Sequence, residues 1–372
     1  MKITGVKAIP VSYPLVKPIW DAQHYIAART AVLVRVETDA GLVGVGESAC
    51  FGGHWETTAT LVEKEIAPYY LGQDPFCVER LWDASYRGTI QHGRRGAVIA
   101  ALSGVDIAVW DLVGKATGLA LYKVLGGYAE SIPAYASGGF YSDGKGPIEL
   151  AQEVAGCLQQ GFTAAKIKVG SLAWEEDLER VRAVRRAIGP HVPLMVDANS
   201  NWDVPTAQRA AHDLEEFNIT WIEEPVCPDD VEGCARIAAG TRIPIAGFEQ
   251  ESTRFAFRNL ICAKAVGIVQ PDVTWAGGIT ECRRIAALAA AWNLPCVPHV
   301  FSTGVSLAAN LHFIASIPNG RWLEYDCNPN PLREELIGGR LRIGPTGQVA
   351  LPSEPGLGIE LDEAILARYR LA

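Results

Sequence analysis

Residues 164–199 read AAKIKVGSLAWEEDLERVRAVRRAIGPHVPLMVDAN. A short apolar run, AAKIKVG, gives way to a stretch in which Leu178, Val181, Val184 and Ile188 recur at helical spacing. Gly189 stops the helix, and a second apolar run, LMVDAN, follows. Strand, helix and strand in this order predict a parallel β/α unit. The texture repeats on both sides: IPAYAS (132–137), ITWIEEP (219–225), IPIAGFE (243–249), GIVQPD (267–272), PCVPH (295–299) and RWLEYD (321–326) bring the candidate strands to eight. Eight such units predict a closed α/β barrel over residues 128–325.

The flanks have a different texture. In residues 1–127 the runs ITGVKAIPVSY and AVLVRVETDAGLVGVGES, with turn residues Asp39 to Gly41, predict a small antiparallel sheet. Ala97 to Leu112 is helical, and its small residues Ala100, Ala101, Ser103 and Gly104 predict close packing against another helix. Residues 326–372 lack the alternation and are expected to return to this first unit.

Composition narrows the function. With 372 residues, 49% of them apolar and 20% charged, the chain has material for a large core, and disorder is excluded. A net charge of −9 with no basic run disfavours nucleic acid and anionic lipid as partners. Nine cysteines without a C-x-x-C pair fit neither a disulfide framework nor a zinc ribbon, and are expected as buried thiols in a reducing compartment. The amino-terminal residues suit an opening strand better than a secretory signal, and no run reaches the roughly 18 apolar residues of a membrane span. A cytoplasmic protein acting on small molecules is expected.

Active sites of such barrels form at the carboxy-terminal ends of the strands. Lys166 and Lys168, Asp197, Glu223, Glu249, Asp272, His299 and Glu324 end successive candidate strands, and from Lys168 the gaps are 29, 26, 26, 23, 27 and 25 residues. Each unit thus brings an ionisable group to one rim. Buried charges need compensation from a metal, from each other or from a substrate. Asp197, Glu223 and Glu249 on three successive strands are expected to surround one hard cation, with Mg²⁺ favoured and Mn²⁺ a substitute. Lys166 and Lys168 share a strand face; their repulsion is expected to lower one pKa toward neutrality and make a general base, or the two serve as counter-ions to the acids. Across the mouth, Asp272 can hold one ring nitrogen of His299 and leave the other for substrate. Two bases around a metal-bound carboxylate substrate suit removal of its α-proton, with Glu324, protonated near neutrality, donating to the enolate oxygen.

K-x-K at 166–168, D-A-N at 197–199, E-E-P at 223–225, Glu249, the pair Asp272 and His299, and Glu324 resemble the enolase superfamily, and within it the mandelate racemase subgroup. The resemblance implies a modified TIM-type (β/α)7β barrel with an α+β capping domain built from residues 1–127 and the returning residues 326–372. It implies metal ligation by Asp197, Glu223 and Glu249, base chemistry at Lys168 with Lys166 in support, a His299–Asp272 dyad, and enolate stabilisation by Glu324. The related muconate lactonising subgroup carries a second catalytic Lys where this chain reads GIVQPDVTW. Phe248 stands where relatives usually have Gly, and Glu251 competes weakly with Glu249.

Members resembling this pattern mostly dehydrate sugar acids to 2-keto-3-deoxy acids, so a Mg²⁺-dependent lyase is expected. VPHVFSTG and LEYDCNPNPLR are similar to galactarolactone cycloisomerases, which makes a lactone cycloisomerase, or an epimerase or racemase, the alternative. Substrate contacts are expected from Asn199 and from two capping loops, Trp20 to Tyr25 with His24 and Tyr25, and Phe51 to Trp55 with His54 and Trp55. A small-molecule carboxylate is the expected partner, and a symmetric homo-oligomer the expected assembly.

Overall fold

The computed structural model describes residues 1–51 and 53–371; Gly52, in the second capping loop, lies outside the described residues. β1 (Ile3–Trp20), β2 (Tyr25–Thr38) and β3 (Val43–Ser48) form an antiparallel sheet with β2 in the centre. Alternation along β2 decides how the sheet packs. Val32, Val34 and Val36 point into one apolar cluster with the helix Ala97–Thr117, while Ala31 and Leu33 join the larger cluster that runs through the barrel. The sheet is therefore buried on both faces.

The helix Ala97–Thr117 packs most extensively on β3, and as its small residues predicted it also meets a helix, Gly278–Ala291, where the Ser103 hydroxyl accepts the Gly277 N–H at 2.9 Å. A Cβ on Gly44 would lie 2.1 Å from the Ala108 carbonyl oxygen, and one on Gly46 the same distance from that of Gly104, so only glycine permits this approach. By length and composition the helix is apolar enough to cross a membrane, yet 89% of its apolar window is buried in the protein. Its two acids fasten it. Asp106 accepts the Thr280 N–H at 3.0 Å and the Thr280 hydroxyl at 2.6 Å, and Asp111 accepts the N–H groups of Val45 and Leu357.

The barrel strands are β4 (Ser131–Ser137), β5 (Ala165–Lys168), β6 (Leu194–Asp197), β7 (Ile219–Glu223), β8 (Ile245–Gly247), β9 (Ile268–Val269) and β10 (Leu323–Asp326), paired in the order β10-β4-β5-β6-β7-β8-β9. The expected strand PCVPH is reduced to single bridges from Cys296 to Val269 and to Gly320, which close the ring. Pro295 and Pro298 explain the loss, because neither offers an N–H to a ladder. A helix follows each strand position up to the last, from Pro147–Gln159 to Gly304–Ile314, so the architecture is the (β/α)7β barrel with its cap. Tyr135, Met195, Trp221, Ala246, Ile268 and Val297 fill the interior, making it a core and not a channel.

The tail divides its contacts. β11 (Gln348–Ala350) pairs antiparallel with β4, and the residues after it return to the cap: the Leu357 N–H donates to Asp111 at 2.8 Å, Glu363 meets Arg35, and the Leu371 N–H donates to the Pro10 carbonyl at 2.9 Å. Two buried contacts lock cap to barrel. Arg29 meets Asp326 at 2.5 Å with its guanidinium 3.5 Å above the Phe301 ring, and Glu47 accepts the Thr303 hydroxyl at 2.5 Å and the Ser306 N–H at 2.9 Å. The cysteines are free, as expected, but Cys227 and Cys262 are exposed: the first lies in the loop after β7, and the second ends the helix Thr253–Cys262.

Candidate active site

The strand ends place the predicted groups around one floor. Lys166 and Lys168, two residues apart on β5, both project inward. Lys168 Nζ lies 2.5 Å from Asp197 Oδ2. Lys166 Nζ contacts Glu223, lies 2.7 Å from Glu324 and 3.7 Å from Asp197. Glu223 also accepts from Trp221 Nε1 at 2.9 Å and Gln270 Nε2 at 2.8 Å. On the other side, His299 Nδ1 is 2.9 Å from Asp272, which the Thr274 N–H and hydroxyl hold at 2.7 Å each. His299 Nε2 points at Glu249, 3.2 Å away. Glu251 faces Arg95 at 3.8 Å, outside this group.

Two expectations about proton affinity are overturned. Burial pushes both lysines down, but Asp197, Asp21 and Glu249 together outweigh this for Lys168, and Glu223 and Glu324 with their neighbours do so for Lys166; both end above the ordinary lysine value. Repulsion between the ammoniums is the smaller effect because each has its own carboxylate. Glu324 was expected to be protonated; burial raises it, but Lys166, His299 and a 2.6 Å bond from the Ser137 hydroxyl bring it down to about 2. It is an ionised acceptor. His299 is lowered by burial and raised more by Glu249, Asp272 and Glu324, to about 10. Burial is the main cause that lifts Glu223 to about 7.

Sequence alternation missed Glu224. Neighbours in a strand face opposite sides, but Glu224 takes a left-handed φ of 45°, leaves the strand, and turns inward fully buried. It accepts the Glu249 N–H and Gln250 Nε2, both at 2.9 Å, and burial followed by Glu249 and Asp197 holds its pKa well above the ordinary range. The tandem acids of E-E-P were the available signal.

Among the described residues, no three Asp, Glu, His or Cys groups stand together at ligand spacing. The expected convergence of Asp197, Glu223 and Glu249 on one point is thus not formed: the first two turn to the lysines and the third to His299, the nearest positive groups. The donor chemistry still fits a hard divalent cation. Six buried or nearly buried carboxylates, Asp197, Glu223, Glu224, Glu249, Asp272 and Glu324, face three cationic side chains, Lys166, Lys168 and His299. Asn199 Oδ1 beside them is buried without a partner, while its N–H donates to Asp197 at 2.9 Å. Oxygen donors in excess of positive charge suit Mg²⁺.

A cavity of about 490 Å³ opens between the cap and this floor, lined among others by Asp21, His24, Tyr25, Phe51, Glu249 and His299. His24 and Tyr25 thus sit where the sequence placed them. His54 and Trp55 do not: the His54 side chain is 92% exposed beside Glu56, and Trp55 opens a helix packed on the cap's own core. Phe51 takes their place, edge-on to His299 at 5.7 Å between ring centres. Asn199 lies below the cavity lining, against Asp197.

Residues 3–126 match the family described as mandelate racemase / muconate lactonizing enzyme, N-terminal domain, and residues 149–365 match the enolase C-terminal domain-like family. The chain belongs to the enolase superfamily, in the mandelate racemase subgroup. It is 37% identical over 339 residues to arabinonate dehydratase of Saccharolobus solfataricus, covering 91% of this chain and 90% of that one. It is 38% identical over 381 residues to D-galactarolactone cycloisomerase of Agrobacterium fabrum, covering 100% and 99%. A racemase from Streptomyces coelicolor, solved with bound magnesium, superposes with a TM-score of 0.91 at 33% identity, covering 99% of this chain and 100% of that one.

Proposed function

We propose that the protein is a Mg²⁺-dependent enzyme that removes the proton α to the carboxylate of a sugar acid and then expels the β-hydroxyl, giving a 2-keto-3-deoxy acid. The observation that carries this reading is the pair of candidate bases, Lys168 and His299, each held by its own carboxylate, Asp197 and Asp272, at the strand ends of one barrel mouth. Relatives that are dehydratases support it.

Asp197, Glu223 and Glu249 would hold the cation, or Mn²⁺ in its place; when bound it draws charge from the substrate carboxylate and, by engaging Asp197, lowers the proton affinity of Lys168. Asp272 fixes His299 with Nδ1–H toward itself, so Nε2 is the atom that takes or returns the α-proton. Lys168 Nζ does the same from the β5 side. Lys166, pinned by Glu223 and Glu324, stays charged and offers a fixed donor to the substrate carboxylate; Glu324 positions Lys166 and does not donate itself. Phe51 and the Trp20 to Tyr25 segment cover the reacting groups and exclude water.

A second reading, opening or forming a sugar-acid lactone through the same two bases, is favoured by the full-length likeness to the cycloisomerase. Galactarate, D-galactonate, D-arabinonate and galactarolactone supplied with Mg²⁺ separate the two. Keto acid trapped by semicarbazide from an open-chain acid supports the dehydratase, whereas lactone turnover with no keto acid from any open-chain acid supports the isomerase. No turnover of any of the four, with no exchange of the α-hydrogen in D₂O, would falsify both.

A further inference from the structure

The cap contributes a titratable pair that the two-base reading does not use. Asp21 and His24 form the tip between β1 and β2, and both line the cavity that holds Glu249 and His299. The tip is built to hold one geometry. Asp21 Oδ1 accepts the N–H groups of Gln23 and His24 at 2.8 Å each, and His24 Nδ1 lies 3.2 Å from the same oxygen. Three contacts dock the tip on the barrel rim, in the loops after β4, β5 and β6. Trp20 and Tyr141 exchange backbone bonds of 2.9 and 2.8 Å, Gln23 Nε2 donates to the Ser200 carbonyl at 3.0 Å, and Ala22 sits over Gly170, where an added Cβ would be 3.4 Å away. With Nδ1 committed to Asp21, Nε2 is the free edge of the ring, and the ring is half exposed, open to proton exchange with solvent.

We propose that His24 is the general acid that protonates the leaving oxygen, with Asp21 as its positioning residue. The inference rests on the α-proton reading above. His299 or Lys168 takes the α-proton, and the C–H electron pair becomes the enolate. As the Cα–Cβ double bond forms, the Cβ–O bond breaks with its pair on oxygen, and that oxygen takes the proton from His24 Nε2 and departs as water. The enol tautomerises to the keto acid, and solvent reprotonates His24. The groups facing the ring agree with a protonated imidazole: the Asp21 hydrogen bond raises its pKa most, burial opposes, the charges of Asp21 and Glu249 raise it further, and Lys168 lowers it. Hydroxide is a poor leaving group and needs this proton, whereas a lactone ring oxygen leaves as a carboxylate with a pKa of roughly 4 and does not.

The test uses His24→Asn in D₂O with Mg²⁺, supplied with galactarate, D-galactonate, D-arabinonate and galactarolactone, and followed by proton NMR. The expected result is α-hydrogen exchange within about threefold of wild type and keto acid formation down by about 100-fold or more. Lactone turnover, where wild type shows it, falls by a far smaller factor than keto acid formation from the open-chain acids. Asp21→Asn should shift the alkaline limb of keto acid formation to lower pH with an unchanged circular dichroism spectrum, which a purely structural loop contact does not produce. Equal effects of His24→Asn on exchange and on elimination overturn the assignment, as does a wild-type enzyme that turns over the lactone and never expels water. A wild-type enzyme inert toward all four, without exchange, overturns the α-proton reading itself.

Discussion

His312 joins three parts of the chain and gives a measurable acid sensitivity. It lies fully buried in the helix Gly304–Ile314, accepts the Tyr122 N–H at Nδ1 at 3.0 Å, and directs Nε2 at the Leu357 carbonyl, 3.1 Å away. Those partners fix a neutral ring, since a proton on Nδ1 would face another N–H. Burial pulls the pKa from 6.5 down to about 4, only partly offset by the Leu357 bond. Folded His312 therefore resists protonation that the unfolded chain accepts. Its stabilising neutrality is complete above about pH 6.5 and is lost as pH falls toward 4. A difference of about 2.5 pKa units corresponds to about 3 kcal/mol. His312→Asn keeps an acceptor for Tyr122 but does not titrate. Urea unfolding at pH 7.5 and at 4.5 should show wild type more stable at pH 7.5 by about 1–3 kcal/mol, with the gap shrinking by about 2–3 kcal/mol at pH 4.5. A gap that stays constant, or a His312 resonance titrating near 6.5, would refute the reasoning.

Asp197→Ala should abolish Mg²⁺ and Mn²⁺ binding measured by calorimetry, together with turnover. Lys168→Ala and His299→Asn should each keep the cation bound yet lower kcat by about 10²–10⁴-fold, and near wild-type turnover in either would remove that residue from the base pair. Glu47→Ala strips acceptors from the Thr303 hydroxyl and the Ser306 N–H, and should lower unfolding free energy by about 1–3 kcal/mol in urea titration.

The barrel was legible because seven of the eight candidate strands end in an ionisable residue after an apolar run, a pattern that survives without any knowledge of contacts. PCVPH shows where it fails, since an apolar run punctuated by two prolines reads as a strand but pairs only through Cys296. That these ionisable residues would gather at one end of the barrel was legible for the same reason, but their protonation was not. Spacing shows that Lys166 and Lys168 share a face; it does not show that Asp197, Glu223 and Glu324 close on them and reverse the direction of their shift. Glu224 stayed hidden because one left-handed residue breaks the alternation on which the reading depended. In the cap, polar composition singled out His24 and His54 equally; only the turn at Asp21 separates them.

The buried locks at Arg29–Asp326 and Glu47–Thr303 decide how a ligand enters. Swinging the whole cap aside would break these bonds and expose the apolar face of β2 at Ala31 and Leu33 to water, at a cost of several kcal/mol. With the cap held in place, the cavity is bounded on its cap side by Asp21, Gln23, His24, Tyr25 and Phe51. Exchanging the hairpin tip for another sequence would change which acids are admitted while the foundations at the strand ends stay as they are.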